Sequence, residues 1–194
     1  MDSESNIEKT GADSRNQPKV SIVELTPDDW TIFRDLKLGS LDQEPIAFVD
    51  VDVVKQKWLE RTEAEWRSIL SGRMSDGRLG ESLNVFAKDQ TNDKYMGMVS
   101  GIIPEGSKTA TVQHMYVDNE DRGKGIGKQL LQALIDRIRA RETINQIELQ
   151  VVVTQQAAIG LYKSLGFKEV RKIEKAVKRG DQEYDEFEML LDLK

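Results

Sequence analysis

The sequence predicts an α/β sandwich: a mixed central sheet of about seven strands with about four helices on its faces. Two patterns carry this expectation. Strand-like runs at 83–88, 94–103 and 109–117, the last alternating apolar with polar, follow one another across short turns, as antiparallel strands do. From 109 onward, strand and helix patterns alternate, which is the signature of crossover connections. The 194 residues, 38% hydrophobic and 32% charged, suffice for one globular domain with a sizeable core.

In chain order, Met1–Pro18 is polar, mixed in charge and poor in apolar residues, and reads as a disordered tail (1–18) ahead of a single domain (19–194). Lys19–Leu25 suits a first strand. Thr26-Pro27-Asp28-Asp29 is a helix start: Thr26 can cap, Pro27 fits the first helical position and the acids suit the first turn. That helix carries Trp30, Phe33, Leu36 and Leu38 and is expected to end near Gly39. Leu41–Asp52 reads as a loop with Asp42, Glu44, Asp50 and Asp52 around Pro45–Phe48. A second helix is expected from about Val53 to Leu70 on the spacing of Val54, Trp58, Trp66, Ile69 and Leu70. Gly72–Gly80 is a turn region, with Asp76-Gly77 its strongest turn dipeptide.

Strands at 83–88, 94–103 and 109–117 come next. Ile126, Leu130, Leu131, Leu134, Ile135 and Ile138 then mark the buried stripe of an amphipathic helix. A strand at Ile147–Val153, a helix containing Tyr162, a strand near Phe167–Ile173, the turn Arg179-Gly180-Asp181 and a closing strand Tyr184–Leu191 complete the series. The closing strand offers an exposed edge for pairing across a homodimer.

Composition excludes several functions. There is no cysteine, so disulfides, a thiolate nucleophile and Cys-ligated metal are ruled out, and a lone His114 argues against a histidine-based metal cluster. No metal is expected. The net charge of −6 disfavours a general nucleic-acid binder. No run is long and apolar enough to cross a bilayer, and no leader pattern opens the chain, which reads as a cytoplasmic protein with no membrane partner.

The chemistry concentrates between the strand at 109–117 and the helix that starts at Ile126. Arg122-Gly123-Lys124-Gly125-Ile126-Gly127 is a glycine-rich turn opening a helix. The first turn of a helix has unpaired N–H groups and the positive end of the macrodipole. Glycines let a phosphate approach those groups, and Arg122 and Lys124 add positive charge. A Walker loop is excluded because Gly127-Lys128 is followed by Gln129. A dinucleotide fingerprint is excluded because its third glycine would fall on Lys128 or Leu130.

What fits is Arg/Gln-x-x-Gly-x-Gly/Ala, filled by Arg122, Gly125 and Gly127. Further on, Gln155–Phe167 carries Ala158, Leu161, Tyr162, Gly166 and Phe167 at the spacing of a second signature, with Gln155 where asparagine is usual. Together the blocks resemble the GNAT superfamily of N-acetyltransferases. The likeness is motif-specific over about Val112–Val170 and a matter of element order before Leu83.

The resemblance implies acetyl-CoA as co-substrate. Backbone N–H groups of Arg122, Gly123, Lys124, Gly125, Ile126 and Gly127 would bind its pyrophosphate. Backbone groups of Met115, Tyr116 and Val117 would pair with the pantetheine arm, and Gln155 would offer its amide. It implies Tyr162 as the general acid toward the CoA sulfur, and a phenol of pKa about 10 can donate to a forming thiolate. The other role of Tyr162 is to pack its ring on the sheet.

The general base stays open. Some members use a glutamate at positions that here are Thr111 and Gln150. The remaining candidates are His114, Glu148 and a water chain; strand alternation would put His114 on the face of Val112 and Tyr116. The acceptor pocket of this family draws on the first two helices and their loop. Here that loop is acidic, which suits a cationic small-molecule amine, although a solvated loop has the same composition. Phe48, Trp30 and Trp58 are candidates for that pocket or for the core.

The expected function is transfer of an acetyl group from acetyl-CoA to a primary amine, directly in a ternary complex, since no cysteine can carry the acetyl group. The alternative is an acyl-CoA-binding sensor of the same fold without turnover.

Overall fold

The computed structural model describes residues 19–43, 51–74, 79–179 and 181–194. The elements are β1 (Val20–Val23), α1 (Trp30–Gln43), α2 (Val51–Leu59), α3 (Glu63–Leu70), β2 (Gly80–Asp89), β3 (Tyr95–Pro104), β4 (Thr109–Val117), α4 (Ile126–Arg139), β5 (Gln146–Val152), α5 (Gln156–Ser164), β6 (Lys168–Arg179) and β7 (Gln182–Asp192). They form an α/β sandwich around one seven-stranded sheet of order β1-β2-β3-β4-β5-β7-β6. All neighbours are antiparallel except β4 and β5. The proposed tail 1–18, the residues Glu44, Phe48 and Asp50, the Asp76-Gly77 dipeptide and Gly180 lie outside the described residues. No helix among the described residues is long and apolar enough to cross a membrane.

The helix start at Thr26 is built as its residues suggest. The Thr26 N–H and hydroxyl donate to the Asp29 carboxylate at 2.9 and 2.7 Å, across a short 3-10 turn at Pro27–Asp29. Helix α1 then runs through Gly39 to Gln43 instead of stopping there. Gly39 lies inside the helix and is not its C-cap; a Cβ there would meet the Tyr116 hydroxyl at 3.9 Å, an ordinary contact. Asp42 consequently sits in the last turn of α1, where it pairs with Lys55 at 2.5 Å.

The helix expected over 53–70 is two helices. Thr62 ends the first excursion and caps α3: its hydroxyl accepts from the Glu65 N–H at 3.3 Å, and the Glu65 carboxylate accepts from the Thr62 N–H at 2.7 Å. Thr62-x-x-Glu65 is a capping box inside an otherwise continuous apolar period. The described chain therefore has five α-helices where about four were expected.

Strand alternation divides the core into two layers. Val85 and Ala87 of β2 pack with the stripe of α4, while Phe86 between them packs with Phe33, Leu41, Trp58 and Trp66. All six expected stripe residues of α4, Ile126, Leu130, Leu131, Leu134, Ile135 and Ile138, are buried. Each such side chain contributes roughly 1.5–3 kcal/mol relative to exposure.

The end of the chain departs from expectation. β7 does not close the sheet at an edge; it inserts between β5 and β6 and is paired on both sides. The expected dimer edge at Tyr184–Leu191 is thus already used within the chain. The reason is the long β6–β7 hairpin, which folds the last strand back against β5. β6 is the true edge, and its many lysines and arginines keep such an edge solvated. β6 also reaches Arg179, past the expected Ile173, across an irregularity between Ile173 and Val177. There Lys175 adopts φ 53°, and the Asp185 carboxylate accepts from the Lys175 N–H at 2.9 Å.

Candidate active site

The site begins with a defect in the sheet. β4 and β5 pair only at Thr109–Thr111 with Gln146–Glu148. Just beyond, β4 carries a bulge: Ser100 of β3 faces Gln113 and Met98 faces Tyr116, so His114 and Met115 together oppose Val99. His114 takes φ 54° to accommodate the extra residue. The bulge turns β4 away from β5, and the strands part into a cleft of about 1260 Å³. Met115, Tyr116 and Val117 line one wall; Gln155 and Tyr162 line the other.

The glycine-rich turn forms one end of the cleft. Gly123 and Gly125 have φ 76° and 78°, in the left-handed region that favours glycine. Gly125 is the N-cap of α4 and, having no side chain, offers no capping acceptor to the first-turn N–H groups. A Cβ at either glycine would meet no protein atom within 4 Å, so the space above the turn is left open for a ligand. Gly127 differs: its Cβ would lie 3.2 Å from both the Leu161 and Met115 side chains, so its smallness serves packing of α4 against β4 and α5.

Of the cations expected here, Arg122 lines the cleft, and its Nε donates to the Val117 carbonyl at 3.0 Å. Lys124 does not line it. Its ammonium lies 2.7 Å from Asp121, which Lys94 also contacts at 2.8 Å. Burial works to raise the Asp121 pKa, but the bonds from Lys124 and Lys94 hold it below the usual value. Lys128, on the first turn of α4, lines the cleft instead.

Tyr162 is 6% exposed and stacks obliquely on Phe167 at 6.0 Å between ring centroids. It packs in the α4 layer of the core and also lines the cleft. Gln155 caps α5 by position, with no capping bond from its amide.

At the far end the walls change character. Lys37, Trp58 and His114 line the side next to α1–α3, and Glu148, Glu186 and Glu188 line the side formed by β5 and β7. Lys37 is 1% exposed, with its ammonium 5.0 Å from the Trp58 ring centroid. The Arg61 guanidinium lies 4.5 Å from the same ring, and His114 meets it edge-on at 5.5 Å. Burial brings the Lys37 pKa down to about 7. Burial, then the charges of Lys37 and Arg61, push His114 well below the usual histidine value, so it is neutral. Burial also raises the Glu186 carboxyl.

A chain of hydrogen bonds assigns the His114 tautomer. The Asn84 amide NH2 donates to the Ile69 carbonyl and the Ser82 hydroxyl, both at 3.2 Å, leaving its oxygen as acceptor. The Ser100 hydroxyl donates its one proton to that oxygen at 2.7 Å. Ser100 Oγ can then only accept from His114 Nδ1, 3.3 Å away. The proton resides on Nδ1 and the lone pair on Nε2.

Two expectations change here. Val112 packs with the α4 layer and Tyr116 with the α1–α3 layer, and His114, against Trp58, shares the Tyr116 side only. The bulge breaks the alternation on which the expected shared face rested. Of the acids of the 41–52 segment that are among the described residues, neither Asp42 nor Asp52 lines the cleft. Glu148, held by the Thr111 hydroxyl at 2.8 Å, is joined by Glu186 and Glu188, which sequence reasoning missed. Lys37 was missed as well. Its signal is a lysine midway between Phe33 and Leu41 on the buried stripe of α1. Trp58 lines the cleft while Trp30 packs in the core layer, so the aromatic candidates divide. Among the described residues no group of three or more His, Cys, Asp or Glu side chains could hold a metal ion.

Comparison with known proteins agrees with this anatomy. N-acetyltransferase 8B of Homo sapiens is 30% identical over 121 residues, covering 60% of this chain and 52% of that protein. The L-methionine sulfoximine/L-methionine sulfone acetyltransferase of Pseudomonas aeruginosa is 47% identical over 58 residues, 29% of this chain and 33% of that enzyme. The match thus spans about half or less of the length of these relatives. The structure of yncA from Salmonella typhimurium with its cofactor acetyl-CoA superposes with a TM-score of 0.64 at 20% identity, covering 90% of this chain and 94% of that one. Residues 39–167, from the second half of α1 to the foot of β6, match the Acetyltransferase (GNAT) family as a whole, and this chain belongs to that family.

Proposed function

We propose that this protein transfers an acetyl group from acetyl-CoA to the primary amine of a small molecule, with both substrates bound in the cleft together. The observation that carries the reading is the parting of β4 from β5 beside a helix start whose N-cap, Gly125, has no side chain to cap its N–H groups. On the side away from β3, Met115–Val117 has no β5 partner, and a pantetheine arm fits there by β-type pairing. The N–H groups from Arg122 to Gly127 suit a pyrophosphate, with positive charge from Arg122 and Lys128 on the cleft wall. Lys124 contributes its backbone only. The yncA structure with acetyl-CoA supports this ligand, and the Pseudomonas enzyme named for an amino-acid substrate supports a small acceptor.

When bound, the thioester supplies an activated acetyl group. The chain's part is to bring the amine beside it, remove a proton from the amine and protonate the departing sulfur. Tyr162 is the donor for the sulfur. For the amine, groups with an available lone pair on the cleft wall are His114 at Nε2, Glu148 and Glu186. With no cysteine in the chain, attack by the amine on the bound thioester is direct.

The test is calorimetric titration with acetyl-CoA, then thiol release measured across amines. Binding with turnover is the expected result. Binding without turnover on any amine, and no change with Tyr162→Phe, would favour an acyl-CoA sensor. Absence of binding would overturn the assignment of the Arg122–Gly127 loop.

A further inference from the structure

We propose that Ser100 and Asn84 are positioning residues for the acetyl transfer, holding His114 as the tautomer whose Nε2 lone pair takes the proton from the acceptor amine. This rests on the acetyl-transfer reading and names which group on the cleft wall is its base.

Ser100 is the starting observation. It is the one polar side chain in the buried run Met96–Ile103 of β3, and it is 1% exposed. An alanine would fit there without the cost of burying a hydroxyl, so the hydroxyl is explained by the bonds it makes. Asn84 and Ser100 stand opposite each other in the β2–β3 register. They lie two residues from Phe86 and Met98 on their strands and so share the α1–α3 face with them. The bulge brings His114 to the same face, against Trp58. The three side chains cross β2, β3 and β4 in a line.

That line has one direction. It starts at the Ile69 carbonyl, which can only accept, so Asn84 presents its NH2 there and its oxygen to Ser100. The remaining bond follows, with Nδ1–H donating to Ser100 Oγ. Among the described residues nothing hydrogen-bonds to Nε2, and His114 lines the cleft. Its place along the cleft also fits. With the pyrophosphate at the glycine turn and the pantetheine arm on Met115–Val117, an arm running back along β4 brings its sulfur end beside the preceding residue, which is His114.

In the step, an amine with its lone pair free forms a C–N bond to the thioester carbon, and the C–S bond breaks. One N–H proton goes to Nε2, and the Tyr162 hydroxyl gives its proton to the departing sulfur. The imidazolium then releases its proton to solvent and the tyrosinate regains one, leaving amide and thiol as net products. The charges of Lys37 and Arg61 disfavour the imidazolium and speed that release. The weak base that results is sufficient, because the amine nitrogen turns acidic as its new bond forms. Ser100 and Asn84 carry no proton away; they orient the ring.

The experiment exploits the single histidine among the 194 residues, which gives one pair of imidazole signals in the 15N NMR spectrum of the intact protein. Wild type is expected to carry its proton on Nδ1, and Ser100→Ala to shift it toward Nε2. With acetyl-CoA affinity unchanged, kcat is expected to fall about 100-fold in His114→Gln and about ten-fold in Ser100→Ala. Ser100→Thr, which keeps the hydroxyl, is expected to keep the proton on Nδ1 and to recover most of the rate. A merely structural Ser100 would cost stability in Ser100→Ala without moving the proton or kcat. Wild type with its proton on Nε2 overturns the inference even if no variant folds. A near-normal kcat in His114→Gln, with the loss found in Glu148→Gln or Glu186→Gln, also overturns it and gives the role to that acid. Failure of acetyl-CoA to bind, or binding with no turnover on any amine, overturns the acetyl-transfer reading beneath it.

Discussion

The two ends of the cleft are made of different material. At the glycine turn, contacts come from backbone within one continuous stretch, Met115 to Gly127, and side chains there mostly hold the backbone in place. At the other end the lining comes from side chains on α1, α2, β4, β5 and β7, which are far apart in the chain. The first end can bind only what peptide N–H groups and a helix start can bind, and its chemistry is fixed by chain geometry. At the second end a single side-chain substitution would change the charge presented to a ligand. A conserved cofactor with a variable acceptor would call for such a division of labour.

The largest expected effect tests the backbone end. Gly125→Val places a β-branched residue at φ 78° and fills the space above the turn, so acetyl-CoA affinity should fall by two orders of magnitude or more, with about 1–2 kcal/mol of strain. Calorimetry and chemical denaturation measure the two parts; normal affinity would mean that the turn does not hold the pyrophosphate. Next is Tyr162→Phe, with kcat expected to fall about 100-fold and acetyl-CoA affinity unchanged, measured by steady-state kinetics and calorimetry.

A third change sharpens the contrast through stability. The Lys37 pKa is depressed to about 7 by burial, so the folded state binds fewer protons than the unfolded chain between that value and the ordinary lysine value of about 10.4. The destabilising cost of its charge is then full below pH 7 and fades as pH rises through that window. Lys37→Met should raise Tm at pH 6, with the gain shrinking toward pH 10. An unchanged or lower Tm at pH 6 would mean that the ammonium is well compensated where it lies. The smallest effect separates neighbouring lysines. Lys124→Ala should change acetyl-CoA affinity less than two-fold, because Asp121 holds that ammonium away from the cleft, whereas Lys128→Ala should weaken it several-fold, about one screened phosphate contact.

The same contrast explains what the sequence disclosed. Local signals were enough for β4, the turn, the whole buried stripe of α4 and the Tyr162 helix, because each is set by residues a few positions apart. Thr62-x-x-Glu65 was also local, but the strong apolar period around it masked the break between α2 and α3. The bulge at His114 has no short-range signature: one unpaired residue inverts the facing of everything after it. Glu186 and Glu188 alternate with Phe187 and Met189 in a legible way, but their arrival at the cleft depends on β7 lying beside β5, which is topology and not pattern. Lys37 was visible as an anomaly in its stripe, though only once α1 is known to continue past Gly39.

The insertion of β7 between β5 and β6 also sets an order of events during synthesis. A nascent chain that has reached Ser164 already contains every residue of the glycine turn and of both flanking helices. The acidic wall cannot exist until β7 has been made and has threaded into place next to β5. Until then β5 presents a bare interior edge and the cleft lacks Glu186 and Glu188. The β7 share of the acidic wall is therefore the last to form, and a chain halted before Gln182 is expected to expose that edge to aggregation.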